Sequence, residues 1–378
     1  MAAGPPLPIA GRLRGVDRTL IRQIFDSAPR GAINFGLGQP DLPTPDVIKR
    51  AGIEAIETNQ TRYTVTAGDP ELRRAIAGQY PDFVDGPEGV VSTIGVGEAV
   101  FLAFAGLLEP GDEVLVPDPG FPTYAITARI LGAVPVAYPL RSERGFAVDP
   151  SDIEGLITSK TRVLMLNSPG NPTGCLDRGE DLDRIAAMAE QGCFTWVSDE
   201  IYSSFVYEGR FESLTTRSKR GVVLSGMSKD VCMAGWRVGW LAGDPAFVKA
   251  VTAMHQYVAT VASSISQRAA LAAFTPEGRA ARDAIRERFR ARRDRALEIL
   301  AGATRATVPR PGGSFYLFAD ISRVGDSMSV CRALMERGVI TIPGIAFGAR
   351  GEGWLRLSYA ADEADIERGM AIVRDVLS

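Results

Sequence analysis

The sequence predicts an α/β protein with a large domain, built on a mostly parallel sheet, and a smaller α+β domain. In the middle of the chain, short apolar runs alternate with segments of helical periodicity. Strands that lie between crossover helices have this pattern because both of their faces are buried. From about residue 278 the pattern changes to a long charged helix followed by shorter elements. The length of 378 residues allows two or three domains.

The large domain is expected to contain seven strands separated by helices, and we place it at residues 46–275. The strand candidates are 90–96, 113–117, 134–139, 162–167, 194–199, 221–225 and 237–242. The helix candidates are 98–108, 122–131, 178–191 and 246–260.

The C-terminal part is expected to form most of the smaller domain. Its helix candidates are 278–301, 327–338 and 361–377, and its strand candidates are 315–321, 339–343 and 354–359. The first 45 residues contain no apolar core of their own, so we expect them to pack against this part. The predicted small domain therefore combines residues 1–45 and 276–378.

Composition and charge exclude several classes of partner. A net charge of −3 and a pI near 5.5 give no general attraction to nucleic acid, and the arginines of 278–301 are mixed with acids as on a solvated helix face. No run of about 18 apolar residues is present, and residues 1–14 lack the apolar core of a signal peptide. The four cysteines lack CxxC spacing. We therefore expect a cytoplasmic protein with reduced thiols that binds neither nucleic acid nor membranes.

Histidine and lysine are scarce in this chain. The single histidine, His255, excludes a histidine-based metal cluster, and no metal site is expected. Of the five lysines, Lys229 stands in an unusual context. It follows a predicted strand and precedes Arg237 by eight residues in the segment SGMSKDVCMAGWRVG. Taken alone, the segment also fits an ordinary surface lysine.

This segment resembles the lysine segment of class I and II aminotransferases, which usually reads S-x-S-K and then G-W-R-x-G. Other segments similar to the same family lie in the same order between about residues 33 and 361: GLGQPDLPTP, TRYTVTAGDPELR, PDPGFPTY, NSPGNPTG, VSDEIY and WLRLSYA. The resemblance covers essentially the whole chain. It implies a fold-type-I transferase that uses pyridoxal 5'-phosphate (PLP) and forms a homodimer.

The resemblance implies a role for each matching residue at the cofactor ring. Lys229 would hold PLP as a Schiff base and carry the Cα proton of the substrate. Asp199 would pair with the pyridine nitrogen, and Tyr202 and Asn171 would donate to the 3-oxygen. Phe121 would stack on the ring, with a core phenylalanine as the less favoured alternative.

The phosphate and the substrate would be held by other matching residues. Val96 and Gly97 open a helix whose N–H groups suit a phosphate, with Ser228 and Arg237 beside it. A dinucleotide site at this turn is disfavoured because the third glycine is absent. Arg356 and Gly38, together with Asn171, would bind the substrate carboxylate. Tyr63 of the partner subunit would reach the cofactor phosphate.

Three departures from the family pattern limit these expectations. Gly226 stands where many members have a phosphate-binding serine, which leaves Ser225 or Ser228 as replacements. Gly97 stands where some relatives that use aspartate and glutamate have a lysine. We therefore expect acidic side chains not to be preferred, unless an arginine elsewhere supplies the contact. Asp230 and Cys232 have no assigned role.

The resemblance implies transfer of an amino group between an L-amino acid and a 2-oxo acid by a ping-pong mechanism. One alternative keeps the cofactor but changes the outcome to carbon–sulfur lyase, other elimination or replacement, or carbon–carbon chemistry. The residues that bind the cofactor do not decide between these reactions. A second alternative, the effector-sensing domain of a transcription regulator, is disfavoured because only about 30 residues precede the first family segment, too few for a winged helix.

Overall fold

The computed structural model describes residues 7–378, and residues 1–6 of the predicted small domain lie outside the described part. The strands are β1 (Ile33–Asn34), β2 (Val90–Thr93), β3 (Glu113–Asp118), β4 (Val134–Pro139), β5 (Thr161–Asn167), β6 (Thr195–Asp199), β7 (Gly221–Gly226), β8 (Gly239–Gly243), β9 (Tyr316–Asp320), β10 (Val339–Ile340), β11 (Ile342–Pro343) and β12 (Trp354–Ser358). The helices are α1 (Leu20–Asp26), α2 (Asp46–Glu57), α3 (Pro70–Ala77), α4 (Val96–Leu107), α5 (Thr123–Ile130), α6 (Pro150–Glu154), α7 (Gly179–Glu190), α8 (Pro245–Val258), α9 (Ser264–Leu271), α10 (Pro276–Leu300), α11 (Ser327–Glu336) and α12 (Glu363–Val376).

The central sheet has seven strands in the order β2-β8-β7-β6-β5-β3-β4. The five adjacent strands β7, β6, β5, β3 and β4 run parallel to one another. Strand β8 is antiparallel to both β7 and β2. Apolar side chains on both faces of these strands are buried against helices, as the continuous apolar runs of the sequence predicted. The predicted α/β fold with a mostly parallel sheet is therefore confirmed.

Two predicted strands differ from the structure by more than small shifts of their ends. The strand predicted at 90–96 ends at Thr93, because Gly95 has a φ of 101° and α4 begins directly after it. The strand predicted at 339–343 is divided in two. Its first half, β10, pairs in parallel with β1, and its second half, β11, pairs with β12. Periodicity alone does not show such a change of partner.

The C-terminal part forms a separate antiparallel sheet in the order β11-β12-β9. Its core also includes α10, α11 and α12, and Phe35 beside β1 belongs to the same buried cluster. The exact boundaries predicted at residues 45 and 275 are not tested by this packing and stay a prediction. Among residues 7–378, no helix combines the length and the apolar character that crossing a membrane requires.

The two unassigned residues after Lys229 have structural contacts. Asp230 is buried and forms an ion pair of 2.8 Å with Arg282 on α10, whose side chain is only 18% exposed. The carbonyl of Cys232 accepts a hydrogen bond of 2.8 Å from the hydroxyl of Thr44. Burial raises the pKa of the Cys232 thiol to about 12, so this thiol stays protonated and is not a nucleophile.

We expect Asp230→Ala to lower the free energy of unfolding by about 3 kcal/mol, because it leaves the Arg282 charge mostly buried without its partner. The matched control is Asp283→Ala on the same helix, where the ion pair with Arg286 is exposed. Its effect should stay below about 0.5 kcal/mol. Thermal unfolding followed by circular dichroism measures both, and equal midpoints for the two variants would contradict a stabilising role for Asp230.

Candidate active site

A cavity of about 480 Å³ lies at the carboxyl ends of the central parallel strands. Open α/β sheets bind ligands at this edge, because loops and helix N-termini converge there. Twelve residues were predicted for the site, and eleven of them line this one cavity: Gly38, Val96, Gly97, Phe121, Asn171, Asp199, Tyr202, Ser228, Lys229, Arg237 and Arg356. Their proximity does not test the role predicted for each residue, so these roles stay predictions.

Lys229 follows β7, and its ammonium group points into the cavity. Its Nζ donates to the carbonyl of Gly38 at 2.5 Å. Burial, followed by the positive charges of Arg356 and Arg237, lowers the pKa of Lys229 to about 8, while the carboxylate of Asp199 acts in the opposite direction. A lysine with this pKa has a sizeable neutral fraction near neutral pH, which a nucleophile or proton acceptor needs.

Asp199 is the last residue of β6 and is buried. Its Oδ2 accepts a hydrogen bond of 2.9 Å from the hydroxyl of Tyr124, and its Oδ1 accepts from the backbone N–H of Ile201 at 3.2 Å. Burial raises the pKa of Asp199 to about 6, and these hydrogen bonds limit the rise. At pH 7 the group is therefore mostly a carboxylate held in fixed orientation.

Tyr202 and Asn171 come from the loops that follow β6 and β5. The hydroxyl of Tyr202 lies 2.8 Å from the hydroxyl of Tyr316, and burial raises the pKa of Tyr202 well above its usual value. The backbone N–H of Asn171 donates to the side chain of Asn167 at 2.9 Å, which fixes the loop. Both predicted donors are therefore ordered by neighbours that the sequence did not indicate.

Arg356 lies on β12, and its guanidinium group is almost completely removed from solvent, since only 2% of the residue is exposed. Its Nη1 donates to the Asn171 side chain at 2.9 Å, and its Nη2 donates to the carbonyl of Gly36. The rings of Tyr316 and Phe347 lie 4.5 and 4.8 Å from its Cζ. Its Nε has no hydrogen-bond partner within residues 7–378. A buried cation with an unused donor beside a cavity suits a carboxylate ligand.

One end of the cavity is lined by the start of α4 and by Arg237. Val96 and Gly97 are the first residues of α4, so their N–H groups are not used by the helix. A side chain at Gly95 would collide with the Arg237 guanidinium, which shows how closely Arg237 approaches this turn. Ser228 also lines the cavity. Helix N–H groups and a guanidinium together form a site for an anion.

Ser225 and Ser228, which could supply the phosphate contact that Gly226 lacks, differ in their surroundings. Ser228 lines the cavity, whereas the Ser225 hydroxyl donates to the carbonyl of Glu200 at 3.4 Å. A side chain at Gly226 would collide with the backbone at Val238 and Gly239, so this position has no room for a serine with the present backbone. Ser228 is therefore the serine available to a ligand.

The aromatic residues Phe121 and Tyr63 differ in their placement. Phe121 lines the cavity and meets Tyr124 edge to face, with ring centroids 5.8 Å apart. Tyr63 does not line the cavity within one chain, and 84% of it is exposed. Its predicted contact needs a second subunit and stays a prediction.

Several residues that line the cavity were not found from the sequence. Tyr124, Tyr316 and Asn167 line it from three different elements, and the N-terminal segment contributes Thr19, Ile21 and Arg22 to the lining. Tyr124 is the second residue of α5 and stands in the same PDPGFPTY segment as Phe121, so that segment could have indicated it. No comparable signal points to Tyr316 or to the N-terminal residues.

Comparisons with known proteins agree with this geometry. The family model described as aminotransferase class I and II matches residues 30–373. The probable aspartate aminotransferase of Methanocaldococcus jannaschii is 33% identical, over 97% of this chain and 99% of that protein. The aromatic-amino-acid aminotransferase 2 of Thermococcus litoralis is 34% identical, over 98% of both chains.

Among solved structures, Thermus thermophilus aspartate aminotransferase with maleate superposes with a TM-score of 0.93 at 32% identity, over 98% of this chain and 100% of that one. The names of these relatives support amino-group transfer over the alternatives of a lyase or a transcription regulator. The chain therefore belongs to the class I and II aminotransferase family and is an aminotransferase.

Proposed function

We propose that the cavity binds pyridoxal 5'-phosphate between Lys229, Asp199 and Arg237, and that Arg356 receives the carboxylate of an amino acid or a 2-oxo acid. The observation that carries this proposal is the convergence of these four charged groups on one cavity, at the positions that match the family, with Asp199 and Arg356 buried there. Members of this family use PLP, and in this chain these residues would hold it.

The residues of the cavity fit the cofactor in size and chemistry. A volume of about 480 Å³ lies within the usual range for cofactor sites. With a pKa of about 8, roughly a tenth of Lys229 is neutral at pH 7 and available to form an imine. Asp199 offers a carboxylate for a pyridinium nitrogen, and the α4 N-terminus with Arg237 offers donors for a phosphate.

The remaining residues divide the work of the reaction. When bound, PLP withdraws electrons from the substrate Cα and makes its proton acidic. Arg356 fixes the carboxylate, which orients the Cα–H bond toward Lys229. The Nζ of Lys229, once released from its covalent role, takes the Cα proton and returns it to another atom. Tyr202 and Asn171 keep donors directed at one oxygen of the cofactor.

We also propose that acidic amino acids are substrates, with Arg22 binding the distal carboxylate. The expectation that acidic side chains are not preferred is not supported, because relatives are named aspartate aminotransferases. Arg22 lines the cavity, its Nε pairs with Asp26 at 2.9 Å, and its Nη atoms have no partner within residues 7–378. No atom lies within 4 Å of the position that a side chain at Gly97 would first occupy, which leaves room for a substrate side chain in this part of the cavity.

A homodimer with shared sites is supported by exposed apolar residues. Tyr63 and Tyr257 are 84% and 89% exposed, and Ile53, Ile56 and Val65 are also exposed. Ile53 and Ile56 lie on α2, Tyr63 and Val65 lie on the segment after it, and Tyr257 lies at the end of α8. Helix α9 follows α8 in the sequence and packs on α2. We propose that a second copy covers them and that Tyr63 of the partner subunit reaches the phosphate. All four cysteines are free thiols, which supports the cytoplasm as the location.

We expect Lys229→Ala to lose covalent cofactor binding and to reduce turnover by about 10⁴-fold or more, because the imine and the proton carrier are the same amine. The control is Lys249→Ala, an exposed lysine on α8 that should behave as wild type. Borohydride reduction of the PLP-loaded protein, followed by peptide mass spectrometry, locates the attached group. Attachment at another lysine, or retained turnover in Lys229→Ala, would contradict the proposed function.

We expect Arg22→Leu to reduce kcat/KM for aspartate by about tenfold, because a charge-assisted hydrogen bond is lost, while phenylalanine changes less than about twofold. Arg18→Leu is the matched control, since Arg18 pairs with the same Asp26 but does not line the cavity. Steady-state kinetics with both amino donors decide the matter. Equal losses for aspartate and phenylalanine would show that Arg22 does not recognise the distal carboxylate.

We expect a hybrid dimer of one Tyr63→Leu and one Lys229→Ala subunit to regain roughly half of the wild-type activity. One of its two sites then combines an intact Lys229 with Tyr63 of the partner subunit, whereas both parent homodimers are defective at every site. Two affinity tags purify the hybrid for the assay. Activity no higher than that of the Tyr63→Leu homodimer would place Tyr63 within its own subunit's site instead.

A further inference from the structure

Tyr316 is the first residue of β9 and is the least expected side chain in the cavity. It is 1% exposed and contacts three of the residues discussed above. Its hydroxyl lies 2.8 Å from the Tyr202 hydroxyl, its ring lies 4.5 Å from the Arg356 guanidinium, and a side chain at Gly38 would collide with its hydroxyl. Within residues 7–378, the hydroxyl of Tyr316 has no hydrogen bond other than the one to Tyr202.

The direction of the hydrogen bond between the two tyrosines follows from counting protons. A tyrosine hydroxyl has one hydrogen to donate and an oxygen that accepts. If Tyr202 donates its hydrogen into the cavity, its oxygen is left to accept the hydrogen of Tyr316. The opposite direction would turn the Tyr202 hydrogen toward Tyr316 and away from any ligand. A donor behind Tyr202 also polarises it and strengthens its own hydrogen bond to an anionic oxygen.

The ring of Tyr316 has a separate contact. It covers one side of the Arg356 guanidinium, while Phe347 lies at 4.8 Å from the same Cζ. Aromatic faces stabilise a cation when water is excluded, so these rings partly replace the solvent that Arg356 has lost. The ring and the hydroxyl therefore act on different functional residues.

We propose that Tyr316 is a positioning residue with two separable roles: its hydroxyl directs the Tyr202 hydrogen toward the cofactor, and its ring holds Arg356 in place for the substrate carboxylate. This inference rests on the proposed function, because it assigns the ligands of Tyr202 and Arg356. A purely structural role for Tyr316 in core packing predicts different results, since phenylalanine retains the packing and removes only the hydroxyl.

The hydroxyl is tested with Tyr316→Phe by titrating the absorption of the bound cofactor with pH in the absence of substrate. Hydrogen bonds to the cofactor 3-oxygen favour its anionic form, so a weaker bond from Tyr202 raises the pH midpoint of the colour change. We expect a rise of about half a pH unit or more, with a lower kcat and a KM changed less than about twofold. An unchanged midpoint would overturn the role of the hydroxyl.

The ring is tested with Tyr316→Leu. Loss of the aromatic face should raise KM for the amino acid by about fivefold or more relative to Tyr316→Phe. Equal KM values for the two variants would overturn the role of the ring. Binding of a carboxylate inhibitor to the loaded protein gives a second measurement of the same contact when turnover is too low to assay.

Tyr359→Phe is the matched control for loss of a buried hydroxyl. Tyr359 is fully buried in the same part of the fold and donates to the carbonyl of Ser314 at 3.1 Å, outside the cavity. It should lose a similar amount of stability, with no change in the absorbance midpoint or in KM. A midpoint shift in Tyr359→Phe as large as in Tyr316→Phe would assign both shifts to general loosening of the core.

A double variant separates the proposed chain of hydrogen bonds from an independent effect. In a Tyr202→Phe background the hydroxyl of Tyr316 has nothing to direct, so Tyr316→Phe should add no further shift of the midpoint. A full, additive shift would overturn the inference. Failure of the proposed function is distinguishable, because the wild-type protein would then neither take up PLP nor exchange amino groups, whatever residue stands at 316.

Discussion

The cavity depends on keeping the Arg356 charge inside the protein. Removing a guanidinium from water is costly, and burial lowers the pKa of Arg356, although not enough to deprotonate it. The Asn171 amide, the Gly36 carbonyl and two aromatic rings replace part of the lost hydration. These partners come from the loop after β5, the N-terminal segment and the C-terminal sheet. The Arg356 charge is therefore stabilised only when the loop after β5, the N-terminal segment and the C-terminal sheet all contact it.

Burial and the charges around the cavity together set the pKa values of Lys229 and Asp199. Lys229 is affected by the positive charges of Arg356 and Arg237 and by the negative charge of Asp199, and burial is the largest influence. The balance leaves its pKa at about 8 rather than at the usual value of lysine. Asp199 is itself held near 6 by burial and the hydrogen bond from Tyr124. A base that is partly neutral and an acid that is mostly ionised therefore coexist in one cavity at neutral pH, which is the combination that transamination needs.

The parts of this arrangement that the sequence could predict are those encoded locally. Lys229 follows a predicted strand and Asp199 ends one, each within a recognisable motif, so both their position on the sheet edge and their proposed chemistry were accessible. Tyr316 was not, because its partners are distant in sequence and the pattern of β9 is only that of a buried strand. The change of partner between β10 and β11 was missed for a related reason. It depends on which strand lies alongside, and periodicity carries no information about that.

The long helix α10 explains how elements from distant parts of the chain hold their positions around the cavity. Its Arg282 pairs with Asp230, directly after Lys229, and its Arg292 forms a two-pronged contact with Asp41, three residues after Gly38. Such ion pairs add little stability compared with apolar residues in the same place, although removing one partner is costly, and their directional geometry resists displacement. One rigid helix thus fixes the lysine loop and the N-terminal loop relative to each other. The hydrogen bond from Lys229 to the Gly38 carbonyl joins the same two loops at the cavity. Some charged residues of α10, namely Arg282 and Arg292, therefore hold the loops of the candidate active site in place, whereas others form exposed ion pairs.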